Sequence, residues 1–389
     1  MPRKLQAIPS LLAACLLLIP RCSLCAQSGP TQHMEDPSGD APADPGPLAA
    51  DLSPDLNHAA IHAAMSKVAD WQIAREQGVF NQGWTFATLY DGLLSASVTL
   101  HDPRYRNFVL NIAEHYSFAL GPRKTHADDQ AIGKSYLWLY GQKHQRQRIQ
   151  PTQAQFNQLM QQPNDPQNPV WWWCDALYMA PPVWSGLARA THQPKYLDYM
   201  DREWKITADL LYDKQEHLFF RDKSYLGKTE ANGRKLFWSR GNGWVMAGLV
   251  RVLETLPDDD PRRAYYIEKF KEMSESIAAL QGKDGLWRSG LLDADAYASP
   301  EVSGSAFFIY AYAWGINHHL LESARYRPII ERGWAGLIQH IYADGRLGSI
   351  QQIGAAPGQY TPGSSWVYGV GAFLLAGSEV DHLAQTKHK

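Results

Sequence analysis

Arg189-Ala190-Thr191-His192-Gln193-Pro194-Lys195-Tyr196 ends one helix, turns the chain and starts another that runs over 196–212. Proline is accepted in the first turn of a helix, where its missing N–H would have had no partner. The same grammar appears at His101-Asp102-Pro103, between a helix carrying Leu93, Val98 and Leu100 and one carrying Tyr105, Phe108, Val109, Ile112 and Ala113. It returns at Pro257 to Pro261, which separates a helix ending at Leu256 from one over 265–280. A further copy ends near Ser323, turns around Tyr326-Arg327-Pro328 and runs back over 329–341. Between the first two turns an extra helix over 130–140 finds its partner near 153–160.

From about Leu56 onward the apolar residues recur at helical spacing and almost nowhere alternate as in a strand. A repeated helix–turn–helix unit means stacked hairpins, so the chain reads as all-α with one domain over 56–389. Stacked hairpins close either as an open superhelix or as an α/α toroid of about six hairpins. Long Gly- and Trp-rich connections on the side opposite the short Pro turns favour the toroid, a six-hairpin α/α barrel. Its inner helices share one direction, so their N-termini gather at one mouth. Unpaired N–H groups and a partial positive charge make that mouth favourable for an anionic ligand.

The ends of the chain predict export. Basic Arg3 and Lys4, the apolar run 11–19 and small residues at Ser23, Cys25 and Ala26 read as a signal peptide over 1–26. The apolar run is too short to span a bilayer, which excludes a transmembrane anchor there. Residues 27–55, rich in Pro, Asp, Gly, Ala and Ser, read as a flexible leader. Cleavage would lower the formal net charge of −2 by three, to −5, and leave Cys174 as the one cysteine. The mature domain, expected in the periplasm or outside the cell, would thus have no internal disulfide. The lack of a basic excess argues against nucleic acid as the main partner, and a monomer is expected.

Four constellations fall at inner-helix starts. Thr125-His126-Ala127-Asp128-Asp129-Gln130-Ala131-Ile132-Gly133 places adjacent carboxylates before a helix, where one can cap it and the other face solvent or a ligand. Trp171-Trp172-Trp173-Cys174-Asp175 sets a carboxylate after three indoles; apolar walls raise a carboxyl pKa towards the range a general acid needs. Trp238-Ser239-Arg240-Gly241-Asn242-Gly243-Trp244 offers stacking faces, close backbone approach at the glycines and a guanidinium able to hold a carboxylate. Glu301-Val302-Ser303-Gly304-Ser305 reads as a capping segment. HExxH, paired-Cys spacing, a phosphate-cradling loop and a Gly-x-Ser-x-Gly elbow are all missing from the sequence. Carboxylate acid–base chemistry in an aromatic, partly cationic pocket remains, and neither a metal nor a cofactor is expected.

Asp128-Asp129-Gln130-Ala131-Ile132-Gly133, Trp173-Cys174-Asp175-Ala176-Leu177-Tyr178-Met179-Ala180-Pro181-Pro182, the Trp238-to-Trp244 segment and the closing Gly369-to-Glu379 segment resemble, in matching order, the unsaturated glucuronyl and rhamnogalacturonyl hydrolases. The resemblance implies a six-hairpin barrel and a glycosidase that removes a 4,5-unsaturated uronic acid from the non-reducing end of lyase-generated oligosaccharides. Such enzymes hydrate the double bond: an Asp protonates C4, water adds at C5, and the hemiketal opens to release the sugar. By position Asp175 looks like the general acid/base and Asp128 or Asp129 the second carboxylate, with Asp128 preferred. Trp173, Trp238, Arg240, Asn242 and Trp244 would line the sugar and its carboxylate. Arg221 stands where many members carry a substrate-contacting His, which leaves the neighbouring sugar open; rhamnogalacturonan fragments lead, with ulvan or glycosaminoglycan fragments behind. A sugar epimerase on the same barrel, and a non-catalytic oligosaccharide-binding protein, are the alternatives.

Overall fold

A computed structural model describes residues 38–75, 78–162 and 165–385. The expected signal peptide and the first part of the leader lie outside them. The first elements are β1 (Gly39–Asp40), α1 (His58–Arg75), α2 (Trp84–Thr99), α3 (Pro103–His115), the short α4 (Ala127–Gln130), α5 (Gly133–Gln142) and α6 (Gln150–Leu159). They are followed by the short α7 (Ala176–Met179), α8 (Pro181–Thr191), α9 (Pro194–Leu211), β2 (Tyr212–Asp213), β3 (Leu218–Phe219) and α10 (Ser239–Leu253). The chain closes with α11 (Arg263–Ala278), α12 (Val302–Asn317), α13 (Ser323–Ile338), β4 (Ser365–Trp366) and α14 (Val367–Gln385).

Among the described residues, six helices form a closed inner ring, each packed on the next: α2, α5, α8, α10, α12, α14 and back to α2. The chain is therefore an α/α toroid of a single domain, as the hairpin repeat implies. Ring position explains composition. In α12 every residue from Val302 to Ile316 is buried, as expected of a helix enclosed on all sides. Outer helices bury a stripe only: α9 hides Tyr196, Met200, Trp204, Ala208 and Leu211 while charged residues occupy the other face. Where α2 crosses α14, Gly92 and Gly371 meet so closely that a Cβ on either would strike the other helix's backbone. Within the ring Asp91 accepts hydrogen bonds from Tyr178 Oη at 2.8 Å and Arg251 Nη2 at 3.0 Å, joining α2, α7 and α10.

The short turns share a device that composition does not display. His101, His192 and His319 each take a positive φ, of 53°, 55° and 59°, just past the ends of α2, α8 and α12. This left-handed residue reverses the chain where glycine is more usual. Pro103 and Pro194 then open α3 and α9 at the first position, and Asp102 caps α3 by accepting from Arg104 N at 2.9 Å.

Two expectations need correction. Pro328 does not mark a turn; it lies inside α13, and the chain reverses earlier, around His319. Pro328 lies one residue past the start of the second turn, so its missing N–H costs the helix one ladder hydrogen bond. The leader, expected to be flexible to residue 55, is tied down from Ser38 onward. Asp40 and Gly39 pair antiparallel with Ser365 and Trp366, Asp40 takes an ion pair from Arg346, and Ala49 N donates to Ile341 O at 2.8 Å. A stretch poor in large apolar residues can still dock through its backbone groups. No helix among the described residues is long and apolar enough to cross a membrane.

Candidate active site

All six inner helices begin at one end of the ring, as their antiparallel alternation with the outer helices requires. Two of them have a prelude, a single helical turn followed by a bend: α4 precedes α5, and α7 precedes α8. These preludes carry the acidic residues. Asp175 occupies the position just before α7, yet its side chain makes no capping hydrogen bond. On α4 the cap is His126, whose Nδ1 accepts from Asp128 N at 3.3 Å, so neither aspartate caps that helix.

Asp128 and Asp129 have different environments. Asp129 is held by Arg123: its Oδ2 accepts the Arg123 backbone N–H at 2.7 Å and its Oδ1 accepts Nε at 2.9 Å. Its hydrogen-bonding capacity is largely spent. Asp128 has weaker company, with His126 Nδ1 at 3.5 Å and an Arg123 nitrogen at 3.9 Å. Burial, and then the charge of Asp175, push its pKa up to about 7, against the opposing pull of Arg123 and Arg221. Asp175 is pushed up as well, by burial first, with Arg221 and Arg240 pulling it back. The two preludes thus bring Asp128 and Asp175 into electrostatic contact as a pair that resists double ionisation.

Arg221 borders this pair. Its Nε lies 3.5 Å from Asp175 Oδ2, its Nη1 donates to Asp222 Oδ2 at 2.6 Å, and its guanidinium sits 5.3 Å from the ring centre of Trp172. The three indoles separate in role. Trp171 is core, Trp172 is exposed, and Trp173 is buried against the His126 ring at 4.8 Å.

The Trp238-to-Trp244 segment is tied into the fold by its side chains. Asn242 is fully buried and grips the backbone: its Oδ1 accepts from Phe219 N at 2.8 Å, and its Nδ2 donates to Phe219 O at 3.1 Å and Trp238 O at 3.0 Å. It thereby fixes β3, and β3 delivers Arg221 two residues later. Arg240 donates to the carbonyls of Gln351 and Gln352, both at 2.8 Å, and stands 3.8 Å from the buried carboxylate of Glu301. These contacts use two of the guanidinium donors, and the buried Nε has no hydrogen-bond partner. Trp238 caps its helix and donates Nε1–H to Gln351 Oε1 at 2.8 Å, and Trp244 packs among Tyr178, Phe307 and Trp84. Gly241 and Gly243 serve packing too: a Cβ would press on Trp238 and Cys174 in one case and on Phe307 and Gly304 in the other. Glu301 does cap, accepting from Ser303 N and Gly304 N at the start of α12.

The family model of Glycosyl Hydrolase Family 88 matches residues 57–384. The chain belongs to Glycosyl Hydrolase Family 88. A relative from Formosa agariphila, named an unsaturated 3S-rhamnoglycuronyl hydrolase, is 39% identical over 345 residues, covering 84% of this chain and 91% of its own. Among solved structures, a family 88 glycosyl hydrolase from Bacteroides vulgatus is 30% identical with a TM-score of 0.79, covering 84% of this chain and 99% of that one. Another, named a polysaccharide lyase, is 32% identical with a TM-score of 0.80, covering 85% and 98%.

For this family 88 chain, the sequence motifs locate the mouth but miss several residues that complete it. Arg123, which separates the roles of the two aspartates, lies in the loop before α4 and carries no periodic signal. Gln351, which binds Trp238, Ser289 and Ala356 through its side chain, sits in an irregular loop far along the chain.

Proposed function

We propose that Asp175 and Asp128 are the acid–base pair of a hydrolase whose substrate is an unsaturated uronic acid linked to a sulfated rhamnose. The broader statement rests on family and relatives: the chain is a glycoside hydrolase acting on unsaturated uronic acid oligosaccharides. The observation that carries the residue assignment is the contrast between Asp129, held by Arg123, and the Asp128–Asp175 pair, whose carboxyl pKa values are raised.

In this reading a protonated carboxyl, Asp175, gives its proton to C4 as the C4–C5 double bond opens. Water attacks C5 and returns a proton to the carboxylates, so the pair ends in its starting state. The C5 hydroxyl so formed makes a hemiketal with the ring oxygen; its opening leaves C1 free to release the next sugar. Asp128 shares the proton inventory, and Arg221 steadies Asp175 once it is charged. A carboxyl held protonated near neutral pH is what this first step requires.

The sulfated rhamnose is favoured by the name of the Formosa agariphila relative, and it displaces rhamnogalacturonan fragments as the leading candidate. Exposed Lys124, Lys223 and Lys228 on the loops that carry Asp128 and Arg221 agree with a second anionic group on the substrate. The signal sequence over 1–26 would place the enzyme in the periplasm or outside the cell. Rates on three unsaturated disaccharides, ending in 3-sulfated rhamnose, unsulfated rhamnose or sulfated hexosamine, test the assignment. The first should exceed the others by at least about tenfold, the scale of one lost charged contact. Equal rates on all three would remove the sulfate from the account.

A further inference from the structure

The opposite end of the barrel holds a second cluster of chemically competent side chains. His58 and His62 lie one turn apart on α1, so both rings project from one face. Asp381 comes from α14, the last helix of the ring, which packs on α1. His58 Nδ1 is 2.6 Å and His62 Nε2 is 3.1 Å from Asp381 Oδ1, and the three ligand-type atoms all lie within 4.8 Å of one another. The Asp381 side chain is 4% exposed, whereas those of His58 and His62 are 51% and 33% exposed. The group opens onto a cavity of about 600 Å³ that is also lined by His101, His382 and Glu379.

We propose that His58, His62 and Asp381 bind a divalent first-row transition ion of the zinc class. Two imidazoles and one carboxylate on a shared face suit such ions, whereas magnesium and calcium prefer an all-oxygen shell. A hydrogen-bonded histidine pair around a carboxylate is the competing explanation, and it leaves something over. His62 Nε2 is buried and makes no hydrogen bond, although it stands within reach of Asp381 Oδ1. A metal would use that lone pair. The cavity side leaves further coordination positions for water or a small ligand.

The placement gives the ion a role. α1 is the first helix of the barrel and α14 the last, so a bound ion would clip the two ends of the ring together. The mouth with Asp128 and Asp175 lies at the other end, at the N-termini of the inner helices, so clipping and catalysis are separate functions. An ion that binds only the folded chain raises its melting temperature, and the rise grows with the logarithm of free ion concentration above Kd.

Equilibrium dialysis of the untagged full chain against Zn²⁺, with Co²⁺ as a visible-absorption probe, tests this. One ion per chain is expected, with visible Co²⁺ bands and a higher melting temperature. His62→Ala should weaken binding at least about tenfold, as loss of a ligand does, while hydrolysis by the metal-free variant stays at the parent's metal-free rate. Asp381→Asn should weaken it in the same way. Retained affinity in His62→Ala, no stoichiometric uptake, or equal protection by Mg²⁺ would each overturn the proposal.

Discussion

The preludes of α5 and α8 and the starts of α10 and α12 stand at the same mouth, and both are rich in charged and aromatic residues. They differ in how their polar groups are spent. Asn242, Trp238 and Glu301 give their side-chain hydrogen bonds to backbone and side chains around them, and Arg240 gives two of its donors to carbonyls, so that wall is tied into the fold. Asp175 is buried and Asp128 half-buried, with few partners, and their protons are correspondingly hard to remove. Motif content alone does not separate machinery from support; accounting for each donor and acceptor does.

Substitutions on the two sides should therefore fail differently. The largest effect is expected at Asp175→Asn, with turnover down about a hundredfold to ten-thousandfold, the range for loss of a general acid–base, and melting close to the parent. Arg240→Ala should do the reverse. It leaves Glu301 buried without its cation, at a cost of roughly 3–5 kcal/mol, read as a large fall in the denaturant midpoint. Turnover by the folded fraction would persist. Unchanged stability there would mean that Arg240 faces substrate after all.

Asn242→Ala lies between these cases. Releasing Phe219 should cost about 1–3 kcal/mol through unpaired buried groups and lower kcat more than it alters KM, because Arg221 loses its support. Asp129→Asn against Asp128→Asn sharpens the contrast within one motif: the first should act mainly on stability, the second on rate.

The smallest effect concerns pH. The Asp128 carboxyl has a higher pKa folded, about 7, than in the unfolded chain. The folded state then binds more protons between about pH 4 and 7, so stability falls as pH rises through that window and levels off above it. Asp128→Asn should melt a few degrees above the parent at pH 8 and level with it at pH 4. Activity of the parent should fall as pH rises, as Asp175, whose carboxyl burial holds above the usual carboxylate range, gives up its proton.

Much of the ring was readable because apolar spacing and Pro turns are local signals, and α8, α9 and α10 lie close to where the pattern puts them. Pro328 misled because a proline early in a helix and one in a turn look alike in sequence. The two aspartates could not be told apart, since only the position of Arg123 distinguishes them. The contacts of Arg240 to the carbonyls of Gln351 and Gln352 were not legible, because those residues are distant in the chain and featureless in sequence. The His58, His62 and Asp381 cluster was hidden for the same reason: it exists only once the first and last helices meet.

The near-ultraviolet band of an unsaturated uronate disaccharide gives the most direct test of the acid pair, because hydration destroys the conjugated double bond. Parent protein should make the absorbance decay, while Asp175→Asn at equal concentration, with parent-like melting, should leave it nearly flat. Equal decay with both proteins would contradict the assignment of Asp175, and a parent that leaves the band unchanged, or raises absorbance on uncut polysaccharide as an eliminating lyase would, would contradict hydration itself.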